Sequence, residues 1–231
     1  MIIPDKNLFI VTSALKPIMG VYSETERFQQ TIDSIRSIRK KLPDAIIVFS
    51  DVSVIPLSDL EKTAIAEKVN YFIDMSQEPT TLKLSRDMKK SHAENALLFN
   101  TLQTLKNSPQ TQGMMSSVKR IFKFSARTEL EDSFDISEYD NLFGKFVFKK
   151  RIPTWMHPPS IPNLLITRMY SFCPSLIDTY LHVIVNNMPL LDQGLDTEHA
   201  HFHNIPKKYL VEFDKIHCWG WLAGNGQIEH Y

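Results

Sequence analysis

The stretch DTEHAHFHNIP, residues 196–206, sets Glu198 ahead of His199, His201 and His203, residue types that could ligate a zinc ion. On a strand, residues two apart share a face and the three histidines would converge. On a helix only His199 and His203 align. The flanks favour the helix: Asp196 and Thr197 suit a cap, Glu198 suits a first turn, and Pro206 pushes Ile205 out of helical geometry. Two aligned histidines need a third protein ligand for a catalytic zinc, which Asp192, His182, His217 or Asp214 would have to supply. Surface or capping histidines are the plainer reading.

A second set of residues could hold an anion. Thr12 and Ser13 end the first apolar run and Asp51 ends the second, the edge at which open α/β sheets place ligands; each could equally cap a turn. Arg27 falls in the first turn of a helix, where the dipole disfavours a cation, so a phosphate or an acidic neighbour such as Glu24 or Asp33 is expected beside it. Lys89 and Lys90 precede a helix start at Ser91, an arrangement that suits anions or plain solvent. In KFSARTEL, Lys123 and Ser125 alternate with Phe122 and Phe124, and Arg127 emerges just past the strand. No GxGxxG follows the first strand, which reads TSALKPIMG, and GxxxxGK[ST] is absent. Neither a standard NAD-binding Rossmann domain nor a P-loop NTPase is thereby supported.

These residues need elements to carry them. NLFIVTSAL (7–15), AIIVFSD (45–51), VNYFID (69–74) and SVKRIFKFSA (117–126) read as strands. Between them lie helices opened by the capping boxes Ser23/Glu26, Ser58/Glu61 and Ser91/Glu94. The polar NSPQTQG (107–113) ends the third helix, after a loop over 77–90. Such alternation predicts a mainly parallel sheet with helices on both faces. Beyond it, 138–150 reads as a hairpin or insertion, 164–172 as a strand, 174–188 and about 192–204 as helices, and 208–213 as a strand. No repeat or linker interrupts the chain, so one domain over 1–231 is expected, with 1–127 as its ligand-binding half and 128–231 folded over it.

The 231 residues carry 26 basic and 26 acidic side chains, so nothing draws the protein to nucleic acid or an anionic membrane. Cys173 and Cys218 fit no disulfide framework or CxxC motif. No apolar run approaches the ~20 residues of a membrane span, and a cytoplasmic location is the expectation.

Taken in order, LFIVTSAL, RFQQTIDSIRSIRKKLPDAIIVFSD, KKSHAENALL, FKFSARTEL and the terminal WGWLAGNGQIEHY resemble GT-A-type glycosyltransferases of bacterial and viral surface-glycan pathways. The resemblance implies a Rossmann-like GT-A fold and transfer of a sugar from a nucleotide sugar to a glycan hydroxyl. It places Thr12, Ser13, Arg27 and Asp51 around the nucleotide, with Lys90, Lys123, Ser125 and Arg127 toward the diphosphate. The metal-binding DxD of many members is replaced by Ser125-Ala126-Arg127, so the lysines and Arg127 could neutralise the leaving group without a cofactor, Mn or Mg remaining open. Glu198 or His199 is implied as the base that takes the acceptor's proton, with Asp192 and Asp196 as rivals. Trp219 and Trp221 could stack on the acceptor sugar or pack a docked terminus, with Gly224 and Gly226 freeing the loop between. Two alternatives remain: a metal-dependent hydrolase centred on histidines 199–203, and a non-catalytic nucleotide- or glycan-binding protein. Oligomeric state is open.

Overall fold

The structure, a computed structural model, describes residues 4–154, 161–222 and 226–231; Gly224 lies outside the described residues. The first half runs β1 (Lys6–Ser13), α1 (Glu24–Lys41), β2 (Ile46–Asp51), α2 (Asp59–Ala66), β3 (Tyr71–Asp74), α3 (Pro79–Arg86), α4 (Lys90–Asn107), α5 (Pro109–Met115) and β4 (Val118–Ser125). The second half runs β5 (Thr128–Leu130), β6 (Phe146–Lys149), β7 (Ile152–Pro153), β8 (Asn163–Leu164), β9 (Met169–Phe172), α6 (Ile177–Asp192), α7 (Thr197–Asn204), β10 (Leu210–Phe213), β11 (Cys218–Trp221) and β12 (Ile228–His230).

Both halves build one sheet, in the order β10-β6-β9-β4-β1-β2-β3. Its strands run parallel except β9, which is antiparallel to β4 and β6. The β1 run is apolar throughout because both sides of the sheet are covered. Phe9 and Val11 meet Ile32, Ile35 and Ile38 of α1 on one side, while Leu8 and Ile10 meet Leu98 and Leu102 of α4 and Ile184 of α6 on the other. Each of these isoleucines is at most 4% exposed, and burial of such a side chain contributes about 1.5–3 kcal/mol. The mainly parallel sheet with helices on both faces is therefore as the sequence predicts.

Two of the three expected capping boxes form, Ser23 with Glu26 and Ser58 with Glu61. The third does not: α4 begins at Lys90, Lys89 occupies the cap without a side-chain bond, and Glu94 is drawn instead to Lys123. Other expectations need correction as well. The 77–90 loop contains α3, and the 107–113 stretch turns into α5, started by Ser108 and Pro109. The expected 138–150 insertion supplies β6, a parallel partner of β10 inside the main sheet. The 164–172 strand is broken, leaving Leu165 to Arg168 as a connection between β8 and β9.

A separate sheet of order β12-β11-β5 docks the tail beside the end of β4. Both cysteines are buried free thiols. No helix among the described residues is long and apolar enough to cross a membrane.

Candidate functional site

The C-terminal ends of β1, β2 and β4 open onto a cavity of about 620 Å³, within the range that encloses a small-molecule ligand. Thr12 and Ser13 reach it from β1 and Ser125 from β4, because Thr12 and Ser125 are register partners on neighbouring parallel strands. One rim is the segment after β1, carrying Ile18, Met19 and Val21; the facing rim includes Met88, in the turn between α3 and α4 at a φ of 56°.

Four cationic side chains line the cavity: Arg27, Lys90, Arg127 and Arg168. Arg27 is 4% exposed, and its guanidinium donates to the carbonyls of Ala14, Met19 and Tyr22. Its compensating partners are thus the loop's own carbonyls, neither Glu24 nor Asp33. Gly20, at a φ of 146°, permits this approach, since a Cβ there would sit 1.9 Å from Arg27 Nη2.

Arg127 is held through its backbone, whose carbonyl accepts from Trp221 N–H at 3.0 Å. Its buried Nε has no partner among the described residues, an uncommon state for a buried donor. Burial, with Arg168 and Arg27 close by, pushes its pKa down to about 10. Lys90 stays exposed at the start of α4; its pKa too is lowered, by partial loss of hydration with Arg168 and Arg127 adding to the effect and Glu94 and Glu198 opposing it. Each cation would gain from an anion in the cavity.

The carboxylates are Glu94, Asp196 and Glu198. Glu94 rests on Lys123, which is 1% exposed and donates to Glu94 Oε1 at 2.6 Å, Ser125 Oγ at 3.0 Å and Thr167 O at 2.8 Å. Burial disfavours the Glu94 charge, yet the charge and hydrogen bond of Lys123, helped by Lys90 and Arg168, hold the pKa down to about 2. Glu198 is different. Burial raises its pKa and the charges of Glu94 and Asp196 add to that, against a hydrogen bond from Thr167 Oγ1 at 2.7 Å. Two carboxylates on one cavity with pKa values driven apart is the arrangement from which acid–base roles arise.

Several expected site residues lie elsewhere. Lys123 is beneath the cavity floor rather than on its wall. Asp51 is fully buried and accepts from the backbones of Leu15 and Ser53, tying the loops after β1 and β2 together; Val52 and Val54 line the cavity in its place. Trp219 and Trp221 are half-buried on β11, ring centroids 4.6 Å apart, and do not line it. Their strand serves Arg127: a Cβ on Gly220 would come within 2.5 Å of its carbonyl oxygen.

The histidines diverge, as the helical reading requires. Asp196 caps α7 by accepting from His199 N at 2.9 Å. His199 is fully buried, its Nδ1 on Asp196 and its Nε2 on Thr154. His201 bonds Tyr180 Oη through Nε2 and the Thr197 carbonyl through Nδ1, while His203 is exposed. Three separate sets of partners leave no common centre, which removes the structural basis of the metal-hydrolase alternative. Among the described residues no three metal-ligating side chains gather elsewhere.

Glu94, Thr167 and Arg168 escaped the sequence reading. Glu94 was disguised as a helix cap, and Thr167 and Arg168 as part of a continuous strand.

No protein-family model and no curated protein matches the sequence. Solved structures do. The galactosyltransferase LgtC, in complex with donor and acceptor sugar analogs, aligns at a TM-score of 0.51 and 8% identity, over 90% of this chain and 73% of its own. A glycosyltransferase involved in glycosylating the major capsid of PBCV-1 aligns at a TM-score of 0.49 and 8% identity, over 91% and 82% of the two chains. Core-mannan synthase A from Aspergillus fumigatus, in an Mn/GDP form, aligns at 0.48 and 8% identity, over 91% and 73%. The likeness to LgtC is one of fold, and the fold is the GT-A type.

Proposed function

We propose that the protein is a glycosyltransferase that moves a sugar from a nucleotide-sugar donor to a glycan hydroxyl. One observation carries the reading: Lys90, Arg127 and Arg168 line a single cavity at the C-terminal edge of the parallel strands, with the Nε of Arg127 buried and unpartnered. A diphosphate would satisfy all three. Thr12, Ser13 and Ser125 offer hydroxyls at the same edge, and Arg27 and Asp51 hold the adjoining loops in place.

In the reaction the acceptor oxygen bonds to the anomeric carbon as the bond from that carbon to the diphosphate oxygen breaks. The electron pair leaves with the diphosphate, where Lys90, Arg127 and Arg168 stabilise it. Glu198 takes the acceptor's proton; its raised pKa matches a base working nearer neutrality than an ordinary glutamate. His199 orients Asp196 rather than reacting itself.

Where the resemblance would put a metal-binding DxD, this chain has Ser125-Ala126-Arg127, and a guanidinium is not a metal ligand. The reading is therefore of metal-independent transfer.

Thermal-shift measurements with uridine, guanosine, thymidine and adenosine diphosphates test this: at least one should stabilise the protein, and no shift with any of them would sink the proposal. Binding with neither transfer to a glycan nor hydrolysis of the nucleotide sugar would favour a non-catalytic binding protein.

A further inference from the structure

Hydrogen bonds tie two of the cavity's carboxylates together. Glu94 and the Thr167 carbonyl both accept from Lys123, and the Thr167 hydroxyl in turn donates to Glu198. On α1 the Arg27 guanidinium is fastened instead to the carbonyls of the loop after β1. A ligand filling this space meets the carboxylate oxygens of Glu94 and Glu198 on the side of α4 and α7 and the guanidinium of Arg27 on the side of α1.

Glu94 has one carboxylate oxygen committed. Lys123 takes its Oε1, and no hydrogen bond from a described residue reaches its Oε2. An ionised carboxylate only accepts hydrogen bonds, so what it faces must be a donor. Lys123 cannot serve a ligand in its place, because its three N–H bonds already go to Glu94, Ser125 and Thr167. Its hold on the Thr167 carbonyl also fixes the residue whose hydroxyl donates to Glu198. One buried ammonium therefore sets the position of both carboxylates.

Resting on the nucleotide-sugar reading, we propose that Glu94 binds the hydroxyls of an uncharged donor sugar and excludes acidic sugars, and that the buried Lys123 is its positioning residue. The diphosphate lies toward Arg127 and the sugar toward α7. A sugar carboxylate would be placed against a carboxylate that Lys123 keeps ionised, and like charges so placed weaken binding steeply. Hydroxyls of a neutral hexose make charge-assisted bonds with the same atoms.

The experiment is calorimetric titration with a nucleoside diphosphate, its hexose ester and its hexuronic acid ester, in the uridine, guanosine, thymidine and adenosine series. The hexose form should bind at least about tenfold more tightly than the hexuronic form. Glu94→Gln, which keeps an oxygen for Lys123, should narrow that ratio to within about threefold. Lys123→Met should narrow it too, an effect that lost stability alone would not produce. Equal affinities in the wild-type protein, or an unchanged ratio in Glu94→Gln, would overturn the proposal while leaving the donor reading intact. Failure of all four nucleoside diphosphates themselves to bind would instead remove the donor reading and this inference with it.

Discussion

Lys123 Nζ and Glu94 Oε1 lie 2.6 Å apart, an ion pair that joins β4 to α4 directly beneath the cavity. The ammonium side is 1% exposed and the carboxylate side 28%, so one charge is desolvated while the other still faces the cavity. Such a pair costs hydration to form, and removing one partner leaves the other uncompensated.

Lys123→Met should therefore destabilise the protein by about 2–3 kcal/mol, below the fully buried case because Glu94 keeps some solvent. Urea unfolding at neutral pH measures it. A change near zero would show that the pair carries no structural weight.

Stability should fall with acid in two stages. Burial lowers the His201 pKa to about 4, against a hydrogen bond to the Thr197 carbonyl. A folded pKa below the unfolded value of about 6.5 means that His201's contribution is whole above pH ~6.5 and is lost as the pH falls through ~4, on the order of 3 kcal/mol. Glu94, with a folded pKa of about 2, contributes above the ordinary glutamate pKa and loses that contribution toward pH ~2. His201→Gln should flatten the denaturation midpoint between pH ~6.5 and ~4 relative to wild type; a parallel decline in both proteins would count against the first stage.

Glu198 titrates with the opposite sign, because its folded pKa is raised. Folding favours its protonated form, so ionising it costs stability as pH rises from the unfolded to the folded pKa. As the base it must be ionised, which sets the acid limb of kcat/KM above the usual glutamate range. Glu198→Gln should reduce kcat by about 10²–10⁴-fold and leave nucleotide affinity little changed. Full activity in that variant would move the base elsewhere.

Gly20→Ala should weaken nucleotide binding more than it lowers the unfolding free energy. The new Cβ would displace the Arg27 guanidinium from the loop carbonyls, and that loop forms one rim of the cavity. Unchanged affinity would show that the rim plays no part in holding the ligand.

The parallel core was legible because local signals agreed with burial: the Ser23/Glu26 box and the apolar runs of β1 and β2 form as they read, and the Ser58/Glu61 box holds even though Lys16 also donates to Glu61 at 2.9 Å. Ser91 and Glu94 show the limit. The pattern of a capping box was present, but a buried ammonium 29 residues away is a stronger partner for Glu94 than a backbone N–H at an exposed helix start. Lys123, Arg127 and Glu198 could be singled out from their positions near element ends. Which of them face the cavity could not, since Lys123 is turned beneath its floor by Thr167, and that connection appears only once 164–172 breaks into β8, a loop and β9. Trp219 and Trp221 attract attention by composition, yet β11 acts on the cavity mainly through its backbone contact with Arg127.

The most direct test of the central claim is calorimetric titration of uridine, guanosine, thymidine and adenosine diphosphates into the protein in the presence of EDTA, with wild type and Arg127→Ala compared. The account predicts that one of them binds wild type without a divalent metal and that Arg127→Ala weakens it by about tenfold or more. Binding that appears only with Mn or Mg, or that is unaffected in Arg127→Ala, would contradict it.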